Sequence, residues 1–133
     1  MKSKLILAAL AAITISTSAS AQTIFHLPTA VTDGLAKAYP NTKAVKWYRE
    51  GVDYEASFNQ GYTHFSVVFD AQGQILEVEK GIKATDFPAA VQAALKGKKV
   101  KEAAIITKGG KTFYEAEVGG KDLLFDADGK AVH

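Results

Sequence analysis

The 133-residue chain contains no cysteine, three prolines, one methionine and one tryptophan. Without cysteine there is neither a disulfide framework nor a thiolate nucleophile, so packing and hydrogen bonding alone must hold the fold. No apolar run reaches the roughly 20 residues that a membrane-spanning helix requires. Nor is there a large surplus of one charge, since 16 Lys and Arg stand against 14 Asp and Glu. A near-neutral chain exerts no long-range pull on nucleic acid or on an acidic membrane. The densest basic stretch, KGKKVK at 96–101, follows a predicted helix end and reads as a solvated connection.

What is present begins with MKSKLILAALAAITISTSASAQ. Lys2 and Lys4 form a basic start, Leu5 to Ile15 a short apolar stretch, and Ala19-Ser20-Ala21 meets the small-residue rule for signal peptidase. A signal peptide over residues 1–21, cleaved after Ala21, is therefore expected. No cysteine follows that could carry a lipid, so the expected product has no stable membrane anchor and resides in the periplasm or is secreted. Cleavage removes two lysines and no acid, leaving the mature chain formally neutral. Residues 22–133 suit one compact domain, whereas half that length would be marginal alone.

The chain is written twice. Pro28, Ala30, Val31 and Leu35 fall on Pro88, Ala90, Val91 and Leu95, sixty positions apart, and YEASF at Tyr54 falls on YEAEV at Tyr114 with the same offset. VVFDAQG then matches LLFDADG at an offset of fifty-six. Ordered matches in three places define two copies, about 26–79 and 87–133, joined by a linker at 80–86.

Each copy opens with a predicted helix. Leu27, Val31, Leu35 and Ala38 recur at helical spacing, with Pro28 in the first turn and Tyr39-Pro40 as the stop. In the second copy Thr85 or Asp86 is the expected cap, Pro88 again occupies the first turn, and Val91 and Leu95 form the stripe until Gly97. Period-two alternation follows. It places Val52, Tyr54, Ala56 and Phe58 on one face, then Phe65, Val67 and Phe69, then Thr112, Tyr114, Ala116 and Val118, with Val45 beside Trp47 and Leu76 beside Val78. The fold class is thus α+β: tandem helix-plus-antiparallel-sheet repeats forming one domain, both helices on one sheet face and the other face open. One copy offers too few large apolar residues to offset its ordering cost, so the two are expected to share a core.

Asp70 to Gly73 and Asp126 to Gly129 read as strand reversals, because Asp bonds its own backbone two residues on and Gly takes the positive φ that follows. The rival is calcium. Asp126, Asp128 and Gly129 imitate part of an EF-hand loop, but the third acidic ligand and the closing Glu are missing.

The order LPTAVTDGLAKAYPNTKAVKW, YEASF, VVFDAQGQILEVE, FPAAVQAAL, YEAEV and LLFDADGK resembles the PepSY-like family, described as β-lactamase-inhibitor-like, over essentially the whole mature chain. The resemblance implies small exported bacterial proteins of tandem helix-plus-sheet repeats. It also implies residence in the periplasm or outside the cell; the named inhibitor docks the concave face of its sheet onto an enzyme, and PepSY domains proper are proposed to restrain peptidases. The better-known inhibitor has a helix-loop-helix in each repeat, against one helix per copy here, and no binding residue carries over.

The residues themselves give little chemistry. Ser66 and His64 share a face with no third partner and no G-x-S-x-G elbow. Glu55 and Glu115, at equivalent repeat positions, imitate an acid and base pair, but read more simply as exposed strand acids. His26, His64 and His133 have no metal-ligand spacing. No catalytic residue, cofactor or metal site is expected. Strand parity instead collects Tyr48, Glu55, Tyr62, His64, Val68, Phe113, Glu115 and Glu117 opposite the core, a mixture of aromatic anchors and charges suited to a protein contact. The expected function is an exported noncatalytic protein-binding module, an inhibitor or regulator of an envelope enzyme, with another envelope or extracellular protein as partner. The alternative is a periplasmic small-ligand carrier or sensor with a pocket between helices and sheet. An exposed edge strand also leaves pairing with a second copy open.

Overall fold

A computed structural model describes residues 25–133. The expected signal peptide and its cleavage point lie outside the described residues. The element order is α1 (Thr29–Ala38), β1 (Lys46–Glu50), β2 (Asp53–Gln60), β3 (Thr63–Phe69), β4 (Ile75–Ile82), a 3-10 turn (Ala84–Asp86), α2 (Ala89–Ala94), β5 (Val100–Lys108), β6 (Lys111–Val118) and β7 (Lys121–Phe125). All seven strands form one antiparallel sheet in chain order. Such a meander is the simplest topology for strands linked by tight turns.

Proline begins both helices, as the N-cap at Pro28 and again at Pro88. Its ring holds φ near the helical value and its missing N–H is not needed there. The expected cap from Thr85 or Asp86 is not used. Asp86 instead closes the 3-10 turn by accepting the Lys83 N–H at 3.1 Å, which brings the chain into Pro88. α1 ends where expected, the Tyr39 N–H donating to the Leu35 carbonyl.

Both helices lie on the same sheet face. Val31 and Leu35 of α1 pack on Tyr54, Ala56, Phe58, Val67 and Phe69. Val91 and Leu95 of α2 pack on Ala103, Ala116 and Phe125, with Phe87 beside them. The pairings Ala56↔Val67, Val67↔Val78 and Val78↔Thr107 carry the same side across the sheet to Ala103, four residues before Thr107 on β5. The alternation read from Tyr54, Phe58, Phe65 and Phe69 therefore holds.

The expectation of one shared core does not. There are two clusters, one under each helix. Between them, on the helix side of β4, β5 and β6, stand Lys80, Thr107 and Thr112, all exposed. What unites the halves is the β4–β5 ladder, from Glu77↔Lys108 to Ile82↔Ala103. β4 runs to Ile82, so the first residues of the expected linker belong to this ladder. Other inward expectations fail at strand ends. Val52 occupies the β1–β2 turn and is exposed, and Leu76 lies beside the bulge between Val68 and Phe69 and is also exposed. A bulge or a turn breaks the two-residue alternation on which those expectations rest.

The repeated phrase is a repeated turn. Asp70 Oδ1 accepts the N–H groups of Gln72 and Gln74, each at 2.9 Å. Asp126 Oδ1 accepts those of Asp128 and Lys130 at 2.9 and 3.0 Å. Gly73 and Gly129 follow with φ of 80° and 78°. Each glycine also lies against the first turn of its own helix. An added Cβ at Gly73 would collide with the Ala30 carbonyl, and one at Gly129 with the Ala90 carbonyl. The turn thus seats the helix on the sheet, once in each half. β4, however, has only a remnant counterpart in the second half, the single bridge Phe125↔Ala131.

Candidate functional site

The side chains that alternate away from the helices form a grid on the second face of the sheet. One row crosses Tyr48, Glu55, Val68, Glu77 and Lys108 on successive strands. The next crosses Lys46, Ser57, Ser66, Glu79, Ile106 and Phe113. A third passes through Asn59 and His64 on one side and Ala104, Glu115 and Leu124 on the other. Glu102, Glu117 and Asp122 complete the end toward β7.

Six of the expected residues are placed on this face with reduced exposure, the half-buried His64 of β3 among them. Glu55 and Val68 are buried and adjacent in one row, while Phe113, Glu115 and Glu117 are partly buried along β6. The reading of Glu55 as an exposed strand acid is thereby corrected. Its Oε1 accepts the Ser66 hydroxyl at 2.7 Å, a local partner that tolerates a dry setting. Tyr48 stands at the β1 rim, half exposed. Tyr62 is not on the face. It sits with Gly61 in the two-residue turn between β2 and β3, fully exposed, because the hairpin closes at Gln60↔Thr63. Tyr48 and Phe113 are not brought together either, since β1 and β6 are five strand spacings apart, about 24 Å along the sheet.

The groups weighed as catalytic separate in the same way. Ser66 donates its hydroxyl to Glu55 rather than to His64. The His64 Nδ1 is 3.1 Å from Asn59 Oδ1 and its Nε2 is 3.4 Å from Ser57 Oγ. Burial holds the imidazole below its usual pKa, against the opposing pull of Glu55 and Glu102. A hydrolytic Ser57 would need donors for an oxyanion, but β2 is flanked by β1 and β3, which take up its backbone N–H groups. Glu55 and Glu115 lie four strands apart, about 19 Å along the sheet. Paired carboxyl groups in glycoside hydrolysis stand about 5–9.5 Å apart.

The residues that sequence parity left unnamed are Glu77, Glu79, Glu50, Glu102 and Asp122. The alternation of LEVE at 76–79 places Glu77 and Glu79 opposite Val78, but not beside carboxylates from other strands. Lys108 Nζ reaches Glu77 Oε2 at 3.1 Å, and Lys101 Nζ reaches Glu117 Oε1 at 3.7 Å. Glu79 is 2% exposed, and its Oε2 has no hydrogen-bond partner among the described residues. Burial, followed by the charges of Glu55 and Glu77, pushes its carboxyl up to about 7. Burial and then the Glu79 charge raise Glu115 to about 8. Glu50 rises to about 7 through burial and then its side-chain hydrogen bond with Glu55. Carboxyl groups crowded in a low-dielectric site resist ionising together.

Two depressions border this face. One of about 970 Å³ is lined by Tyr48, Glu50, Glu55, Ser57 and His64 among others. The second, of about 650 Å³, is lined by Tyr62, His64, Gly81, Lys101 and Glu102 among others. Neither lies between helices and sheet, where Val31, Val67, Phe69 and Val91 are fully enclosed. Among the described residues, no group of three His, Asp or Glu converges as metal ligands do.

The family model for PepSY-like proteins, described as beta-lactamase-inhibitor-like, matches the chain twice, at residues 15–77 and 53–133. The chain belongs to the PepSY-like family. Its double match agrees with the doubled helix and turn of the fold. Similar solved structures carry the same architecture. A BLIP-like protein from Bacteroides fragilis shares 28% identity at a TM-score of 0.67, over 84% of this chain and 87% of its own. A DUF2874 family protein from Bacteroides uniformis shares 24% at 0.71, over 80% and 86%. A proposed periplasmic protein from Bacteroides eggerthii shares 20% at 0.74, over 82% and 88%. No curated protein matches this PepSY-like chain. Among its described residues, no helix is long and apolar enough to cross a membrane.

Proposed function

We propose that the protein is an exported, noncatalytic protein-binding module that uses the helix-free sheet face to hold an envelope enzyme or another extracytoplasmic protein. The observation that carries this reading is the division of labour between faces. Both helices cover one side, while the other displays Tyr48 and Phe113 far apart with charged and apolar rows between them. Aromatic anchors separated by about 24 Å suit a partner surface of ordinary interface width and no small ligand. The family description supports an inhibitor-like role, and the Bacteroides eggerthii structure supports the periplasm as the compartment. The carrier alternative loses its motive, because the volume under the helices is filled by Val31, Phe69 and Val91.

The test is capture of envelope proteins on immobilised protein, compared with a Tyr48→Ala/Phe113→Ala variant. Loss of the captured partner with a melting temperature within about 4 °C of the parent supports docking through this face. An unfolded variant, or undiminished capture, overturns it.

A further inference from the structure

We propose that two copies of the chain join through β1, antiparallel about a twofold axis at Tyr48, so that two seven-stranded sheets become one continuous sheet. This goes beyond the docking reading, because it uses the edge of the sheet rather than its face.

β1 is the outer strand of the sheet and pairs with β2 alone. Its register runs from Lys46↔Ser57 to Glu50↔Asp53 without a shift, and KWYRE contains no proline, so neither a bulge nor a missing N–H blunts this edge. Glu50↔Asp53 flanks the two-residue turn Gly51-Val52, and a turn of that length closes on a hydrogen-bonded pair. By alternation, the backbone N–H and C=O groups of Trp47 and Arg49 point away from β2. Among the described residues, no backbone hydrogen bond reaches them from that side. The opposite edge differs. At β7 the chain's own end bridges Phe125 through Ala131, and the Val132 N–H donates to the Leu124 carbonyl at 2.9 Å.

The β1 sequence is complementary to itself in one register. Pairing centred on Tyr48 sets Trp47 opposite Arg49 of the second copy, so the outward backbone groups of both residues meet as hydrogen-bonded pairs on either side of the axis. It also sets Lys46 opposite Glu50 of the second copy, again on either side, and Tyr48 opposite itself. These are the non-hydrogen-bonded pairs, whose side chains approach most closely. A register shifted either way sets Trp47 or Arg49 opposite itself and leaves Lys46 and Glu50 unmatched. The same operation on KDLLF of β7 matches no charges. The residues concerned are within reach: Lys46 and Tyr48 are exposed, Glu50 is half-buried, and all three line the larger depression. Lys46 makes no ion pair among the described residues. Burial, then the hydrogen bond and charge of Glu55 and the charge of Glu77, raise the Glu50 carboxyl to about 7. At pH 8 it therefore carries the charge that Lys46 of the second copy meets.

Sedimentation equilibrium of the purified protein at pH 8 provides the test. Five residues from each copy make a small contact, so the association is weak and shows as a mass rising toward twice the monomer's over a micromolar concentration series. Lys46→Glu and Glu50→Lys should each weaken it by about tenfold or more, since both charge pairs of the dimer become repulsive. Mixing the two variants should restore it, because every pair at those positions in the mixed dimer is again of opposite charge. In the parent, amide exchange at Trp47 and Arg49 should slow as concentration rises, while exchange in β7 should not change. A parent that stays monomeric throughout the series overturns the proposal, as does self-association retained by both single variants or a folded mixture that stays monomeric. Concentration-dependent protection of β7 instead of Trp47 and Arg49 overturns it as well, and that readout needs no variant.

Discussion

Gly73 packs so closely under Ala30 that a Cβ on the glycine would stand 2.8 Å from the Ala30 carbonyl carbon. Gly129 has the same relation to Ala90, at 2.7 Å from its carbonyl carbon. Each glycine also has positive φ, so the position is closed to other residues twice over, by backbone conformation and by contact. Gly73→Ala and Gly129→Ala should each cost about 2–4 kcal/mol, as strain and overpacking add. Urea unfolding should show lower midpoints for both. Wild-type midpoints would mean that the helices do not rest on the turns.

Asp126→Ala removes the acceptor for the Asp128 and Lys130 amides. The exposed turn lets water replace part of what is lost, so the expected cost is about 1–2 kcal/mol. Calcium should not raise the melting temperature of the wild-type protein, because this carboxylate serves its own backbone. A calcium-dependent rise would restore the ligand-loop reading.

Stability should fall as pH rises from about 5 to 8.5. The carboxyl groups of Glu79, Glu115 and Glu50 are raised to about 7, 8 and 7 in the folded protein, above their ordinary range near 4.5. Through that window the folded state therefore holds more protons than the unfolded state. Their contribution is fully present below about 4.5 and is lost as pH climbs through the folded values. Glu79→Gln should flatten the profile. Chemical denaturation at stepped pH decides the matter, and stability rising between pH 6 and 8.5 contradicts the direction.

Because the apolar clusters are separate, damage to one should be felt unevenly. Phe69→Ala empties a fully buried position under α1 and should cost about 3–5 kcal/mol. Amide hydrogen exchange should accelerate in β2 and β3 more than in β6 and β7. Equal acceleration throughout would show that the β4–β5 ladder makes the two halves one cooperative unit.

Much of the fold was legible because it is written in short-range rules. Pro28 and Pro88 mark helix starts, Tyr54 to Phe58 alternates, and Asp70 and Asp126 each bond amides within four residues. The site was less legible. Tyr48, Phe113, Glu115 and Glu117 followed from parity, but Tyr62 did not, because a two-residue turn carried it off the face. Glu79 and Glu77 do not stand out in the sequence, because a carboxylate on a strand looks solvated until its neighbours on other strands are known.

The sequence by itself determined the doubled pattern of helix, strands and Asp-to-Gly turn, since each of those choices is made by sterics and hydrogen bonds within a few residues. Only the tertiary structure decided that β4 pairs with β5 to join two cores, and that carboxylates from different strands crowd around a buried, unpartnered oxygen on Glu79. Those outcomes depend on which distant strands become neighbours and in what register. Pairing across the sheet sets both, and no local rule contains that information.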